Sequence, residues 1–268
     1  MNKQETQVIS VANLKGGVGK TTTAVSISAG LAMQGFRTVL VDLDSHLSAS
    51  LNFLTPEEIS KYPSLIDVLD RKVDFLNAAI PTHIRGLSVV LPGETQQRLE
   101  RERENSRWEG KWDGKILFDV VEKTKSQGID YMVIDTPPSV DSLTIGAISA
   151  SQWILVPVTC EYLPLLGLKR FNQVLVHIRE TTGRCPKILG YLMTMVDRRE
   201  RITWEVENIL LKTFGNQVFS TQIRVDTKVK VCPSHRKTIF EFEGEYGRAS
   251  SDYLNLVKEI IERTGILV

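Results

Sequence analysis

The chain has 268 residues, a length that suits one large α/β domain or two small ones. Its formal net charge is +1, so it is not a polycation, and a nucleic-acid contact would need a local basic patch. The three cysteines lack metal-type spacing, the polar N-terminus lacks the apolar region of a signal peptide, and no stretch is apolar enough to span a bilayer. We therefore expect a cytoplasmic globular protein, not a disulfide-rich secreted one.

Apolar, β-branched runs alternate with segments of helical spacing along the chain. The runs are residues 8–12, 38–42, 87–91, 131–135, 153–157, 187–195 and 218–223. Most are apolar without alternation, which is typical of strands that are buried on both sides. The pattern predicts an α/β fold with a doubly wound, mostly parallel sheet and helices on both faces. We expect residues 1–268 to form one domain, with too few residues before the first strand for a separate helix-turn-helix domain.

The segment 15–22, Lys-Gly-Gly-Val-Gly-Lys-Thr-Thr, connects the first predicted strand to a helical segment. It fits the phosphate-loop pattern G-x-x-x-x-G-K-[ST] only loosely, because Leu14 occupies the first glycine position and Lys15 follows it. The strand, loop and helix together predict a phosphate-loop NTPase, in which glycine N–H groups and the helix N-terminus bind phosphate. We expect Lys20 to reach the β- and γ-phosphates of ATP and the Thr21 hydroxyl to bind Mg²⁺. The predicted nucleotide contacts of the loop are Gly16, Gly17, Val18, Gly19, Lys20, Thr21 and Thr22.

Two further predicted strands have aspartates at their C-terminal ends, and these aspartates suit a magnesium-nucleotide site. Asp42 and Asp44 follow the second apolar run, and alternate residues of a strand share a face, so both side chains should point the same way. Asp44 is expected to contribute to the metal site and to orient the attacking water, although a strand-end aspartate that caps the next turn is the alternative. Asp135 ends the run 131–135 in the form of a Walker B aspartate, which holds Mg²⁺ directly or through water.

Residues 94–115 depart from the alternating pattern, because they are dense in Arg and Glu and include Trp108 and Trp112. Their charge spacing predicts a solvated surface helix and loop more than a dedicated function. The two tryptophans leave an interface role open.

The two-lysine loop resembles the deviant phosphate loop, KGGxGK[ST], of the ParA/MinD family of nucleotide-dependent dimerising ATPases, and the chain is closest to ParA/Soj-type partition proteins. Further segments that resemble the family are 156–162, 194–199, 233–235 and 246–250. The resemblance implies that Lys15 reaches across a dimer interface to the phosphates bound by the partner subunit. A surface lysine beside an ordinary phosphate loop is the alternative. It also implies that Asp44 helps to activate the attacking water within a switch segment.

The resemblance places the adenine pocket at Met195, Asp197 and Pro233, with ordinary loop structure as the alternative for each. The sequence departs from the family just after Asp44. ParA members commonly continue Asp-Pro-Gln-Gly-Asn, whereas residues 45–49 here are Ser-His-Leu-Ser-Ala. The switch is therefore atypical, and His46 is either an added general base or a simple surface residue.

The implied function is partition or positioning of plasmid or chromosome cargo. ATP drives a homodimer, the dimer associates with the nucleoid by binding DNA without sequence preference, and a ParB-like adaptor stimulates hydrolysis. Basic residues in the last third of the chain are the expected DNA contacts, with a solvated basic face as the alternative. These residues are Arg198, Arg199, Arg224, Lys228, Lys230 and Arg236.

Other functional classes stay open at this stage. A MinD-like, membrane-associated division-site ATPase requires a basic amphipathic C-terminal helix, but the charges of segment 253–263 are mixed and membrane binding is not expected. An iron–sulfur reductase requires cysteines at the switch loops, and none lies near Asp44 or Asp135 along the chain. An ATP-dependent ligase with the same fold would need a substrate pocket that no sequence motif marks.

Overall fold

The computed structural model describes residues 5–93, 115–139, 141–184, 186–244 and 246–266. The charged segment 94–115 lies outside the described residues apart from Lys115, so its predicted surface helix stays a prediction. The strands of the described chain are β1 (Gln7–Val11), β2 (Thr38–Asp42), β3 (Ile80–Pro81), β4 (Leu87–Val90), β5 (Tyr131–Asp135), β6 (Trp153–Thr159) and β7 (Lys187–Thr194). They form one sheet in the order β3-β4-β2-β5-β1-β6-β7, in which only β3 is antiparallel to its neighbour.

Helices cover both faces of this sheet, which confirms the predicted doubly wound α/β fold. The α-helices of the described chain are α1 (Lys20–Met33), α2 (Pro56–Ile59), α3 (Leu65–Leu69), α4 (Phe75–Ala78), α5 (Lys115–Thr124), α6 (Ser142–Ala150), α7 (Tyr162–Thr182), α8 (Arg201–Phe214), α9 (Thr227–Val231), α10 (Ile239–Glu243) and α11 (Arg248–Thr264). Helices α1 and α11 pack on one face, in a core cluster with Ile9 and Val133. Helices α3, α5 and α6 share a core cluster with Val8 and Met132, and α7 and α8 share one with Ile154. Alternate residues of a strand therefore pack into the cores on opposite faces of the sheet, which explains the continuous apolar runs.

Six of the seven predicted strands are present, with ends that differ by at most two residues. The prediction of a strand at 218–223 is wrong. Val218 forms only an isolated bridge with Tyr191, and the next part of the segment turns to α11, where the Ser220 N–H donates to the Glu259 carboxylate at 2.9 Å. Phe219 and Ile223 still donate backbone hydrogen bonds to β7, so the Glu259 carboxylate interrupts the pairing that the apolar and β-branched residues predicted.

The amphipathic C-terminal segment packs on the core as α11. Leu256, Val257 and Ile260 are fully buried. The contact with α1 is close because residue 30 is glycine, and a Cβ there would lie 2.6 Å from Val257 Cγ2. Core packing therefore accounts for the apolar stripe of residues 253–263. Within the described ranges, no helix is long and apolar enough to cross a membrane.

Candidate nucleotide-binding site

A cavity of about 710 Å³ opens at the carboxyl edge of the sheet, where parallel α/β sheets bind ligands. Its walls come from the loop after β1 and from the segments that follow β2, β5 and β7. Among the predicted site residues, the cavity is lined by Gly16, Gly17, Gly19, Lys20, Thr21, Thr22, Asp44, Met195 and Pro233. The residues predicted for the nucleotide and metal site that do not line it are Lys15, Val18, Asp135 and Asp197.

The loop between β1 and α1 has the backbone shape of an anion-binding nest. Gly17 and Gly19 have φ values of 73° and 85°, in the left-handed region that favours glycine. Val18 is buried, and its carbonyl accepts a hydrogen bond from the Thr194 hydroxyl at 2.9 Å, which ties the loop to the end of β7. Helix α1 begins at Lys20, so its N-terminus adds positive potential to the cavity.

Lys20 is a buried cation at the cavity wall. Its Nζ donates a hydrogen bond to the Lys15 carbonyl at 3.0 Å. Burial lowers the pKa of Lys20, whereas the nearby carboxylates of Asp135 and Asp44 raise it. An ammonium group has three donors, so an anionic ligand in the cavity would satisfy the others and favour the charged lysine.

Asp135 ends β5 with a fully buried carboxylate. Neither carboxylate oxygen has a hydrogen-bond partner of ordinary geometry within the described chain. Burial and the neighbouring Asp42 raise the pKa of Asp135 well above its usual range, while the Thr21 hydroxyl and Lys20 lower it. A buried carboxylate without a partner is costly, and a divalent cation beside Thr21 would relieve that cost. The hard oxygen donors at this position therefore fit Mg²⁺.

Asp42 and Asp44 have different surroundings although they are two residues apart. Asp42 is fully buried, and its Oδ2 accepts hydrogen bonds from the N–H and the hydroxyl of Ser50 at 2.9 and 2.7 Å. Burial raises the pKa of Asp42 to about 6, although the bonds from Ser50 lower it. Asp44 lines the cavity, whereas Asp42 does not. The chain after β2 turns back over the strand end, and Ser50 binds Asp42 there.

The segment after Asp44 forms a tight turn. The Asp44 carbonyl accepts a hydrogen bond from the Leu47 N–H at 2.8 Å. Leu47 has a φ of 59°, a left-handed conformation that is unfavourable for a branched side chain. Backbone strain of this kind is concentrated at active sites and switch segments. The atypical residues 45–49 therefore form a defined turn beside the cavity.

Lys15 is held outside the cavity. Its Nζ forms an ion pair with Glu161 at 2.6 Å, and the two side chains are 33% and 63% exposed. Its backbone is fixed, because its N–H donates to the Asn13 side chain, which in turn donates to the Pro157 carbonyl. An exposed ion pair is weak, so the ammonium group can exchange Glu161 for another anion without a large loss of free energy.

Met195 and Pro233 line the cavity together with residues that no sequence motif singled out. These additional residues include Val25, Ser26, Leu51, Asn52, Thr136, Cys232, Thr238 and Ile239. Met195 has a φ of 54°, in the left-handed region that is unfavourable for its side chain. Cys232 is distant from Asp44 along the chain but shares the cavity with it. Burial raises the pKa of the Cys232 thiol to about 11, which makes it a poor nucleophile at neutral pH.

Most of the predicted DNA-binding residues are paired with carboxylates. The pairs are Arg198 with Glu207, Arg199 with Asp197, Arg224 with Asp252 and Lys228 with Glu243. The bond from Arg199 lowers the pKa of Asp197 to about 2, and Asp197 does not line the cavity. Lys230 and Arg236 are exposed, and neither forms an ion pair with the described residues. They flank the cavity-lining residues Cys232 and Pro233.

The fold and the cavity define a phosphate-loop nucleotide-binding protein of the α/β class. A family model described as an AAA domain matches residues 6–187. The chromosome partitioning protein ParA of Caulobacter vibrioides is 30% identical over 269 residues, which cover 98% of this chain and 97% of that protein. The chromosome-partitioning ATPase Soj of Thermus thermophilus is 32% identical over 269 residues, which cover 98% of each chain. The chain belongs to the ParA/Soj family of partition ATPases.

The fold is shared with enzymes of other functions. A solved structure of cobyrinic acid a,c-diamide synthase from Mycobacterium smegmatis, with bound ATP analog and magnesium, has a TM-score of 0.76 at 26% identity. The similarity covers 94% of this chain and 93% of that one. A phosphate-loop fold alone therefore does not decide between partition and synthase chemistry. The relatives that are similar in sequence are partition proteins, and they indicate the family.

Proposed function

We propose that this chain is an ATPase that forms a homodimer with ATP, binds DNA without sequence preference and partitions cargo with a ParB-like adaptor. The observation that carries the proposal is the placement of the two loop lysines. Lys20 is buried against the cavity, whereas Lys15 is displayed outside it on an exposed ion pair. One lysine is thus available to a nucleotide of the same chain and the other to a nucleotide of a second chain. Residues 1–268 act as a single domain in this proposal.

ATP binding uses the glycine nest, the Lys20 ammonium and the start of α1. The N–H groups from Gly16 to Thr22 surround the phosphates, while Met195 and Pro233 form a wall for the base. Thr21 and Asp135, with Asp44 nearby, are the residues that would hold Mg²⁺. When bound, Mg²⁺ neutralises the phosphate charge that develops during transfer.

Asp44 is the residue that orients the attacking water. It lines the cavity, its side chain is 19% exposed, and it lies close enough to Lys20 to raise the pKa of that lysine. A carboxylate in this place accepts a hydrogen bond from water and so fixes the direction of attack on the γ-phosphate. Asp42 cannot substitute, because Ser50 occupies its carboxylate.

Dimerisation follows from the exposed lysine. Phosphate contacts of Lys15 from the partner subunit exist only in the dimer, so ATP binding and dimerisation stabilise each other by linkage. The ion pair of Lys15 with Glu161 must break for this contact to form. A doubly charged γ-phosphate is a stronger partner than an exposed glutamate, which supports the exchange.

Replacement of Lys15 by alanine is expected to leave ATP binding by the monomer within about twofold of the unaltered protein and to weaken the ATP-dependent dimer by at least about tenfold. Lys15 does not line the cavity of its own chain, so the single-chain site stays intact. Nucleotide binding is measured by titration of a fluorescent ATP analogue, and dimerisation by analytical ultracentrifugation. Glu161→Ala is the matched control, because it removes the same ion pair without removing the lysine. A Lys15→Ala protein that dimerises normally with ATP contradicts the proposal.

DNA binding depends on cations that are free to meet phosphate. Arg224 and Lys228 pair with Asp252 and Glu243, whose side chains are largely buried, so their removal would leave carboxylates without partners. Lys230 and Arg236 form no ion pair with the described residues, so their removal would leave none of the described carboxylates without a partner. They lie beside the residues that wall the nucleotide cavity, so a change in nucleotide can alter their position. Two chains double the number of phosphate contacts, which makes binding dependent on the dimer.

The double variant Lys230→Ala/Arg236→Ala is expected to weaken binding of a random-sequence duplex in the presence of ATP. The slope of log K against log salt should fall by about two to four, because each chain of the dimer loses two phosphate contacts. Fluorescence anisotropy over a salt series measures both quantities. The double variant Lys123→Ala/Lys258→Ala, which removes two exposed cations elsewhere, is the charge-matched control. An unchanged slope for the first pair places the DNA surface elsewhere.

The proposal as a whole is tested by DNA anisotropy of an Asp44→Ala protein with ATP and with ADP. Binding with ATP alone supports a DNA-bound, nucleoid-associated dimer. Absence of DNA binding by a protein that dimerises with ATP rejects the DNA function, and anionic vesicles then test the membrane-associated alternative. The ADP sample is the internal control, because it leaves the chain and its net charge unchanged.

A further inference from the structure

The strongest feature outside the family pattern is the contact between His46 and Asp44. The Nδ1 atom of His46 lies 2.8 Å from Oδ1 of Asp44, and the backbone N–H of His46 donates to the same oxygen at 3.0 Å. Because a carboxylate oxygen accepts hydrogen bonds, the imidazole donates through Nδ1–H. One residue therefore binds Oδ1 twice, through its backbone and through its side chain.

The two donors act on one carboxylate oxygen and leave the other available. With Oδ1 fixed, rotation of the Asp44 carboxylate is restricted. Asp44 lines the cavity, and neither of these two hydrogen bonds uses Oδ2, so that oxygen is the one that we assign to a water molecule. A catalytic group that is held in one rotamer before the reaction needs less reorganisation to reach the transition state. The contact is local, because the His46 side chain is 76% exposed.

We propose that His46 is a positioning residue for ATP hydrolysis, which holds the Asp44 carboxylate so that its second oxygen meets the attacking water. The inference rests on the proposed role of Asp44 and deepens it. His46 does not line the nucleotide cavity. Its contribution is the orientation of Asp44, so it affects the chemical step and not the binding of ATP.

The test compares His46→Ala, His46→Gln and His46→Asn in steady-state ATP hydrolysis by the full chain. The Asn amide places an N–H donor near the position of Nδ1, whereas the Gln amide places its donor one bond further out. We expect kcat to fall about fivefold in the Ala and Gln variants, the size expected for one hydrogen bond, with KM for ATP within about twofold. His46→Asn should recover most of the loss. Substitution of so exposed a side chain should leave the melting temperature unchanged.

The same substitution in an Asp44→Asn background separates this inference from the proposed function. If His46 acts through Asp44, His46→Ala should cause no further loss there. An unchanged kcat in His46→Ala, or an equal loss in the Asn and Ala variants, overturns the positioning role. If the Asp44→Asn protein itself hydrolyses ATP at the unaltered rate, the proposed role of Asp44 fails first. If it is inactive while all His46 variants are active, only the inference about His46 fails.

Discussion

Replacement of Lys20 by alanine is expected to reduce ATP turnover by about 10²–10³-fold and to weaken nucleotide binding strongly. Lys20 is the buried cation of the cavity, and both Asp135 and Asp44 lie close enough to affect its pKa. Without the ammonium group, the triphosphate meets two carboxylates with no opposing charge from the loop. Steady-state phosphate release and titration with a fluorescent ATP analogue measure the two effects.

The Lys20 variant needs a control for folding, because its removal also changes the charge around a buried carboxylate. Thermal melting without nucleotide reports that effect, and Asp135 is the group it concerns. The Lys61→Ala protein, altered at an exposed lysine that does not line the cavity, controls for the loss of one positive charge. Wild-type turnover by a folded Lys20→Ala protein would falsify the assignment of the phosphate loop.

Replacement of Asp44 by alanine is expected to preserve ATP binding and to lower turnover by at least about 10²-fold. The carboxylate is a small part of the cavity wall, whereas the glycine nest and Lys20 supply the phosphate contacts. The variant should therefore accumulate the ATP-bound dimer. Single-turnover hydrolysis, measured beside ATP binding, separates a slow chemical step from weak binding.

Asp44→Asn is the matched variant for this prediction, since it keeps the shape of the side chain and removes its charge. Asp42→Asn provides a structural comparison. Because the Asp42 carboxylate accepts bonds from Ser50, its loss should lower the free energy of unfolding, by about 1–3 kcal/mol. If Asp44→Asn hydrolyses ATP normally while Asp42→Asn does not, the two aspartates have been assigned in reverse.

The sequence predicted the sheet well because its strands are buried on both sides. Residues 131–135 and 38–42 are uninterrupted apolar runs that end in aspartate, and both are strands with those bounds. The failure at 218–223 has a different origin. The acceptor for the Ser220 N–H is Glu259, about forty residues further along the chain, and no local pattern encodes such a partner.

The candidate site was predictable where the residues that form it are contiguous in the chain. The loop 15–22 includes its glycines, both lysines and the start of α1, so its placement at the cavity follows from local geometry. The part of the cavity formed by residues 195–239 has no such unit. Met195 and Pro233 line it, whereas Asp197 binds Arg199, because an arginine two residues away is within reach of its carboxylate.

The sequence by itself determined the fold class, the phosphate loop and the family, because strand burial and a contiguous glycine turn are local properties of the chain. Only the tertiary structure decided which charged groups are free to act. It buried Asp135 where its carboxylate has no hydrogen-bond partner of ordinary geometry among the described residues, bound Asp42 to Ser50, and left Asp44 at the cavity. It also paired Arg224 with Asp252. The reason is physical: the availability of a charge depends on burial and on partners that are distant in the chain, and a linear pattern of residues records neither.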